Sequence, residues 1–78
     1  MEECALRLPI KLGQFLKIVN WAESGGEARA LIQSGAVEVN GAPEIRHSHQ
    51  LQEGDVVALK AENGMPAAAI DTYRLVAQ

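Results

Sequence analysis

The stretch Ser24-Gly25-Gly26-Glu27 narrows what this chain can become more than any other. Its S-x-x-E spacing is that of a capping box, in which the serine oxygen and the glutamate carboxylate each satisfy a backbone N–H that a helix leaves unpaired in its first turn. A helix therefore begins there, with Ala28, Leu31 and Ile32 as its buried face. Gly35 is placed to take the left-handed conformation that ends a helix after Ser34. Upstream, Leu12, Phe15, Leu16 and Val19 recur at i, i+3, i+4 and i+7, the stripe of an earlier helix, with Lys11, Gln14 and Lys17 away from its centre. Ile18 and Trp21 lie off that stripe. Downstream, Val37-Glu38-Val39 alternates and meets Asn40-Gly41, the dipeptide best suited to a type I′ hairpin turn.

The remaining elements are simpler. Cys4 to Leu8 alternates weakly and stops at Pro9, which fits a short edge strand. The return strand after Gly41 is irregular through Pro43-Glu44-Ile45-Arg46-His47. Glu53-Gly54-Asp55 then turns the chain into Val56-Val57-Ala58-Leu59, the surest strand. Asn63-Gly64 and Pro66 mark a break, Ala67 to Ile70 is ambiguous, and Thr72 to Val76 has strand propensity. The domain is accordingly placed at residues 1–62, with 63–78 as a C-terminal tail, either an added edge strand or a frayed end.

At 78 residues there is room for one domain, which buries only about 60% or a little more of its unfolded surface and leaves little space for an active site. Cys4 is the single cysteine, so no intrachain disulfide supports the fold, and a reducing compartment suits it. Met1-Glu2-Glu3 is acidic where a secretory signal is basic, and no apolar run approaches the roughly 20 residues of a membrane span, so a cytoplasmic location is expected. No nucleophile, base and orienting group form a plausible set, and the phosphate-loop and dinucleotide fingerprints are absent. The expectation is a binder, not an enzyme, with no cofactor. The formal charge of −3 sits badly with a nucleic-acid partner, because phosphate binding gains from displaced counterions. Any such site has to be a local patch.

Taken in order, Lys11-Leu12-Gly13-Gln14-Phe15-Leu16-Lys17, Ser24-Gly25-Gly26-Glu27-Ala28-Arg29, Val37-Glu38-Val39-Asn40-Gly41 and Gly54-Asp55-Val56-Val57 resemble the RNA-binding domain first seen in ribosomal protein S4, and most of all its small stand-alone bacterial members. The likeness runs from about Ile10 to Leu59. It implies an α+β fold, two short packed helices on a small curved, mostly antiparallel sheet. It also implies a structured RNA partner, ribosomal or transfer RNA, and an association with the ribosome. Carried onto this chain, the RNA-binding residues are Lys11, Lys17, Ser24, Gly25, Gly26, Arg29, Asn40, Arg46, His47 and His49. General chemistry agrees: Ser24, Gly25 and Gly26 open a helix whose N–H groups and dipole attract phosphate, and Arg29 can fork onto one. Many members carry arginine after the capping serine where this chain has Gly25, and stand-alone members are more basic where it has Arg46-His47-Ser48-His49-Gln50. Modest affinity and a shallow salt slope follow, with both histidines adding charge below about pH 6.5.

Each of these residues also has a plainer role. Ser24 to Glu27 serves as a helix cap without any ligand, Arg29 as a solvated surface charge, and Lys11 and Lys17 as aliphatic cover for the core. Asn40-Gly41 is turn chemistry. His47-x-His49 on an extended segment would point both imidazoles to one side, half of a metal site. Phe15 belongs to the core, while Trp21 either plugs a gap or offers a face to a base. The competing function is a protein-interaction module on the same fold, with Trp21, Ile18 and Tyr73 as an exposed apolar surface.

Overall fold

The apolar stripe from Leu12 becomes a helix in the computed structural model, which describes residues 2–60 and 71–78. The elements run β1 (Glu2–Leu6), β2 (Ile10–Lys11), α1 (Leu12–Ile18), α2 (Gly25–Gln33), β3 (Val37–Val39), β4 (Ala42–Pro43), β5 (Gln50–Leu51), β6 (Val56–Leu59) and β7 (Asp71–Ala77). On α1 the stripe residues Leu12, Phe15 and Leu16 are fully buried, and Asn20, at φ 64°, takes the left-handed conformation just beyond its end. On α2, Ala28 and Ile32 face inward.

Ser24 supplies one half of the expected capping box on α2: its Oγ accepts from the Glu27 N–H at 3.2 Å, while the return bond from the Ser24 N–H to the Glu27 carboxylate does not form among the described residues. Gly35, at φ 84°, donates its N–H to the Ile32 carbonyl at 3.1 Å beyond the last turn. Ser24→Ala is expected to lose about 1 kcal/mol in urea unfolding, and Ser24→Gly only a few tenths. Equal losses in both variants would mean that the hydroxyl does not cap this helix.

A five-stranded sheet in the order β1-β7-β6-β3-β4 lies against the helices. The pairs β3–β4, β3–β6 and β6–β7 are antiparallel, and β1–β7 is parallel. The Asn40-Gly41 turn has both residues at positive φ, 54° and 87°, as a type I′ turn requires. Asn40 does more than turn the chain. Its Oδ1 accepts from Val56 N–H at 2.9 Å and its Nδ2 donates to Asp55 at 3.1 Å, which ties the hairpin to the start of β6. A separate two-stranded ladder pairs β2 with β5.

The strand expected between Thr72 and Val76 forms as β7, but in the interior of the sheet, between β1 and β6, and it is neither an edge nor a frayed end. Leu75 is fully buried in the same core as Leu12, Phe15, Leu16, Ile32, Val37, Leu51 and Val57. The edge role falls to β1, as the stop at Pro9 suggests, although β1 ends at Leu6. The boundary placed after residue 62, and the segments around Asn63-Gly64, Pro66 and Ala67 to Ile70, lie outside the described residues. Among the described residues no helix is long and apolar enough to cross a membrane.

Candidate functional site

The segment between β4 and β5 folds back over the start of α1. The Leu12 N–H donates to the His49 carbonyl at 2.8 Å and the Gly13 N–H to the His47 carbonyl at 2.9 Å, so two donors of the first turn are satisfied by this loop. The Lys11 N–H is taken by Gln14 Oε1 at 3.3 Å. Gly13 allows the approach, since a Cβ there would already touch the His47 carbonyl oxygen at 3.4 Å. With its backbone fixed on α1, His47 turns its side chain to α2, where Nε2 lies 3.2 Å from Arg29 Nη2. Arginine can only donate, so this contact needs Nε2 to be the unprotonated nitrogen.

Between the two helices and this loop lies a cleft of about 170 Å³, bordered by Lys11, Gly13, Gln14 and Lys17 of the first helix and its entry, Gly25 and Ala28 of the second, and His47. The small residues Gly25 and Ala28 fall three apart on α2 and leave the opening, and Arg29 reaches it through His47. The N–H groups of Gly25 and Gly26 open α2 beside Ser24 and have no partner among the described residues.

The cations divide by partner. Arg46 is bound to Glu44, Lys60 lies 3.6 Å from Glu38, and Arg74 pairs with Glu3. Lys11, Lys17 and Arg29 are exposed and have no carboxylate within 4.0 Å among the described residues. Lys11 and Lys17 border the cleft and Arg29 adjoins it through His47, whereas Arg7, also without a carboxylate among the described residues, sits between β1 and β2. A chain of net charge −3 thus keeps a local concentration of uncompensated positive charge at one place.

The other candidate residues do not join this group. Arg46 donates from Nε to Glu44 Oε2 at 3.0 Å and from Nη2 to Oε1 at 3.2 Å, while His49 Nδ1 lies 3.4 Å from Oε1. The bonded Arg46 guanidinium, with a smaller contribution from the nearby His49, brings the Glu44 carboxyl down to about 2 against the opposing effect of burial. Both ends of the Asn40 amide are engaged with Asp55 and Val56. Residues 47–49 are not extended: a turn closed by the His49 N–H on the Arg46 carbonyl at 3.2 Å sends the two imidazoles to different partners. The two imidazoles therefore do not share a side, and no group of three metal-ligating side chains occurs among the described residues.

Trp21 and Tyr73 are also accounted for by packing. Trp21 stands edge-on to Phe15 with ring centroids 5.7 Å apart, lies 5.8 Å from Tyr73, and donates from Nε1 to Asp71 at 3.2 Å. Of the apolar surface expected from Trp21, Ile18 and Tyr73, only Ile18 is exposed. The sequence reading missed Glu44 and the cleft-lining Gly13, Gln14 and Ala28. A signal for Glu44 existed, because an acid two residues before Arg46 is near enough in sequence to pair with it.

Residues 7–65 match the S4 domain. Over 51 residues the chain is 41% identical to a Bacillus subtilis (strain 168) protein named "Probable ribosome maturation protein RlbA", covering 65% of this chain and 72% of that one. Over 49 residues it is 37% identical to "Putative RNA-binding protein YbcJ" of Escherichia coli (strain K12), covering 63% and 70%. A protein of Shigella flexneri, also named YbcJ, matches to the same extent.

Proposed function

The chain belongs to the S4 domain family, and from that premise we propose that it is a non-catalytic protein that binds structured RNA, ribosomal or transfer RNA, through the cleft between its helices. The names of its relatives, one in ribosome maturation and one in RNA binding, support that class of partner. One observation carries the reading: Lys11 and Lys17 border the cleft and Arg29 adjoins it through His47, all three exposed cations without a carboxylate partner among the described residues, while Arg46, Lys60 and Arg74 are neutralised by neighbours.

The chemistry favours phosphate over base edges. Lysine offers a point charge to a phosphate, and Arg29, with one edge steadied by His47, keeps other N–H groups for a second acceptor. Ser24, Gly25 and Gly26 add backbone donors and the positive end of α2. Such a site follows the shape of an RNA backbone and reads little sequence. Arg46 and His49 flank it as secondary contacts, and Asn40 contributes by holding the hairpin.

The test is a salt titration of binding to ribosomal and transfer RNA, with a DNA duplex as control, for wild type and Arg29→Ala. Wild type should prefer RNA and weaken as salt rises, and Arg29→Ala should bind more weakly with a slope flatter by about one ion. If neither protein binds RNA at low salt, the family fold is serving another partner.

A further inference from the structure

Glu44 and Arg46 stand two residues apart in the loop that leaves β4, immediately before His47, and the guanidinium closes on the carboxylate through Nε and Nη2, at 3.0 and 3.2 Å. That two-pronged contact is also the one by which arginine grips a phosphate. We propose that Glu44 is a specificity-determining residue: its carboxylate occupies the phosphate-gripping edge of Arg46, and only an RNA whose backbone fits both the cleft and the 44–49 loop displaces it. The inference rests on the RNA-binding reading of the cleft.

The two partners are unequally held. The Arg46 side chain is 70% exposed and that of Glu44 only 14%. Glu44 also accepts from the Arg46 backbone N–H at 3.1 Å and has His49 Nδ1 3.4 Å away, whereas the Arg46 guanidinium, besides Glu44, meets only the same His49 Nδ1 at 3.4 Å among the described residues and is the more exposed of the two partners. The groups facing this carboxylate are therefore Arg46 and His49. An exposed ion pair is weak, whereas a charge-assisted bond to phosphate inside a cooperative set of contacts is strong, so the exchange favours a ligand already engaged at Lys11, Lys17 and Arg29. A polyanion that meets the loop alone finds Arg46 already occupied. Because Arg46 keeps the Glu44 carboxyl well below its usual range, the latch is charged under any ordinary assay condition.

The experiment compares wild type, Glu44→Gln and Glu44→Gln/Arg46→Ala by fluorescence anisotropy, on a labelled DNA duplex and on a labelled ribosomal RNA helix, each across a salt series. Glu44→Gln should tighten duplex binding on the order of tenfold at low salt and steepen its slope by about 0.9, the value of one added phosphate contact. Its slope on RNA should stay that of wild type, where the latch is already open. The double variant should return the duplex slope to the wild-type value. Unchanged duplex binding by Glu44→Gln overturns the proposal. So does an equal gain on RNA and DNA, or a gain that survives Arg46→Ala, since each reduces Glu44 to one negative charge among many. Loss of RNA binding as a whole is read separately, from wild type and Arg29→Ala, and strikes the cleft, not the latch.

Discussion

Phe15→Ala is expected to lose about 3–5 kcal/mol of folding stability, the usual cost of emptying a fully buried aromatic site. Phe15 has no exposed surface and stands edge-on to two rings, Trp21 at 5.7 Å and Tyr73 at 6.1 Å. It thereby joins the end of α1 to β7, two parts of the chain that are far apart in sequence. At roughly 0.05–0.15 kcal/mol per residue, a domain of this length holds only about 4–12 kcal/mol in total, so the loss removes a large share of it. Trp21 provides the readout, because unfolding breaks both its contact with Phe15 and its hydrogen bond to Asp71. Phe15→Leu keeps most of the volume and should cost less than about 1.5 kcal/mol. Similar urea midpoints for all three proteins would show that the helix-to-β7 junction is not what holds this fold.

How much of this was legible in the sequence depended on distance along the chain. The Ser24 cap, the Gly35 stop and the Asn40-Gly41 turn are each written in two to four adjacent residues, and each appears where its residues require it. The Leu12 stripe and the Val56 to Leu59 run are periodic enough to fix an element and its inner face. The misplaced strand is β7. Its propensity was visible, but its place between β1 and β6 depends on pairings such as Cys4 with Leu75, which leave no local period. The two-residue ladder of β2 and β5 is too short to produce any pattern.

The site divides in the same way. Residue types could nominate cations, but not say which were already paired. Lys60 meets Glu38 across neighbouring strands, and Arg74 meets Glu3 across the parallel pair, contacts that only the assembled sheet creates. The Arg29–His47 contact spans 18 residues and depends on the loop being pinned to Leu12 and Gly13. Glu44 beside Arg46 is the exception, since the two stand only two residues apart in sequence.

Lys11→Ala/Lys17→Ala/Arg29→Ala is expected to weaken RNA binding on the order of a hundredfold or more at low salt and to flatten the salt slope by roughly two to three ions. Removing three positive charges takes the formal charge from −3 to −6, so the general repulsion of RNA also rises. The variant Arg7→Ala/Lys60→Ala/Arg74→Ala makes the same change in net charge away from the cleft and separates the two effects. Lys60 and Arg74 are surface pairs, and such pairs contribute about 0–1 kcal/mol each, so this control should remain folded. If net charge governs binding, the two triple variants fall together. If uncompensated cations at one cleft govern it, the control stays within a few-fold of wild type and keeps its slope, because Lys60 and Arg74 already face carboxylates and have fewer counterions to release, and Arg7, though unpaired among the described residues, does not border the cleft. Equal losses would remove the argument for a local patch, and a chain of net negative charge would then need a different account of how it approaches RNA.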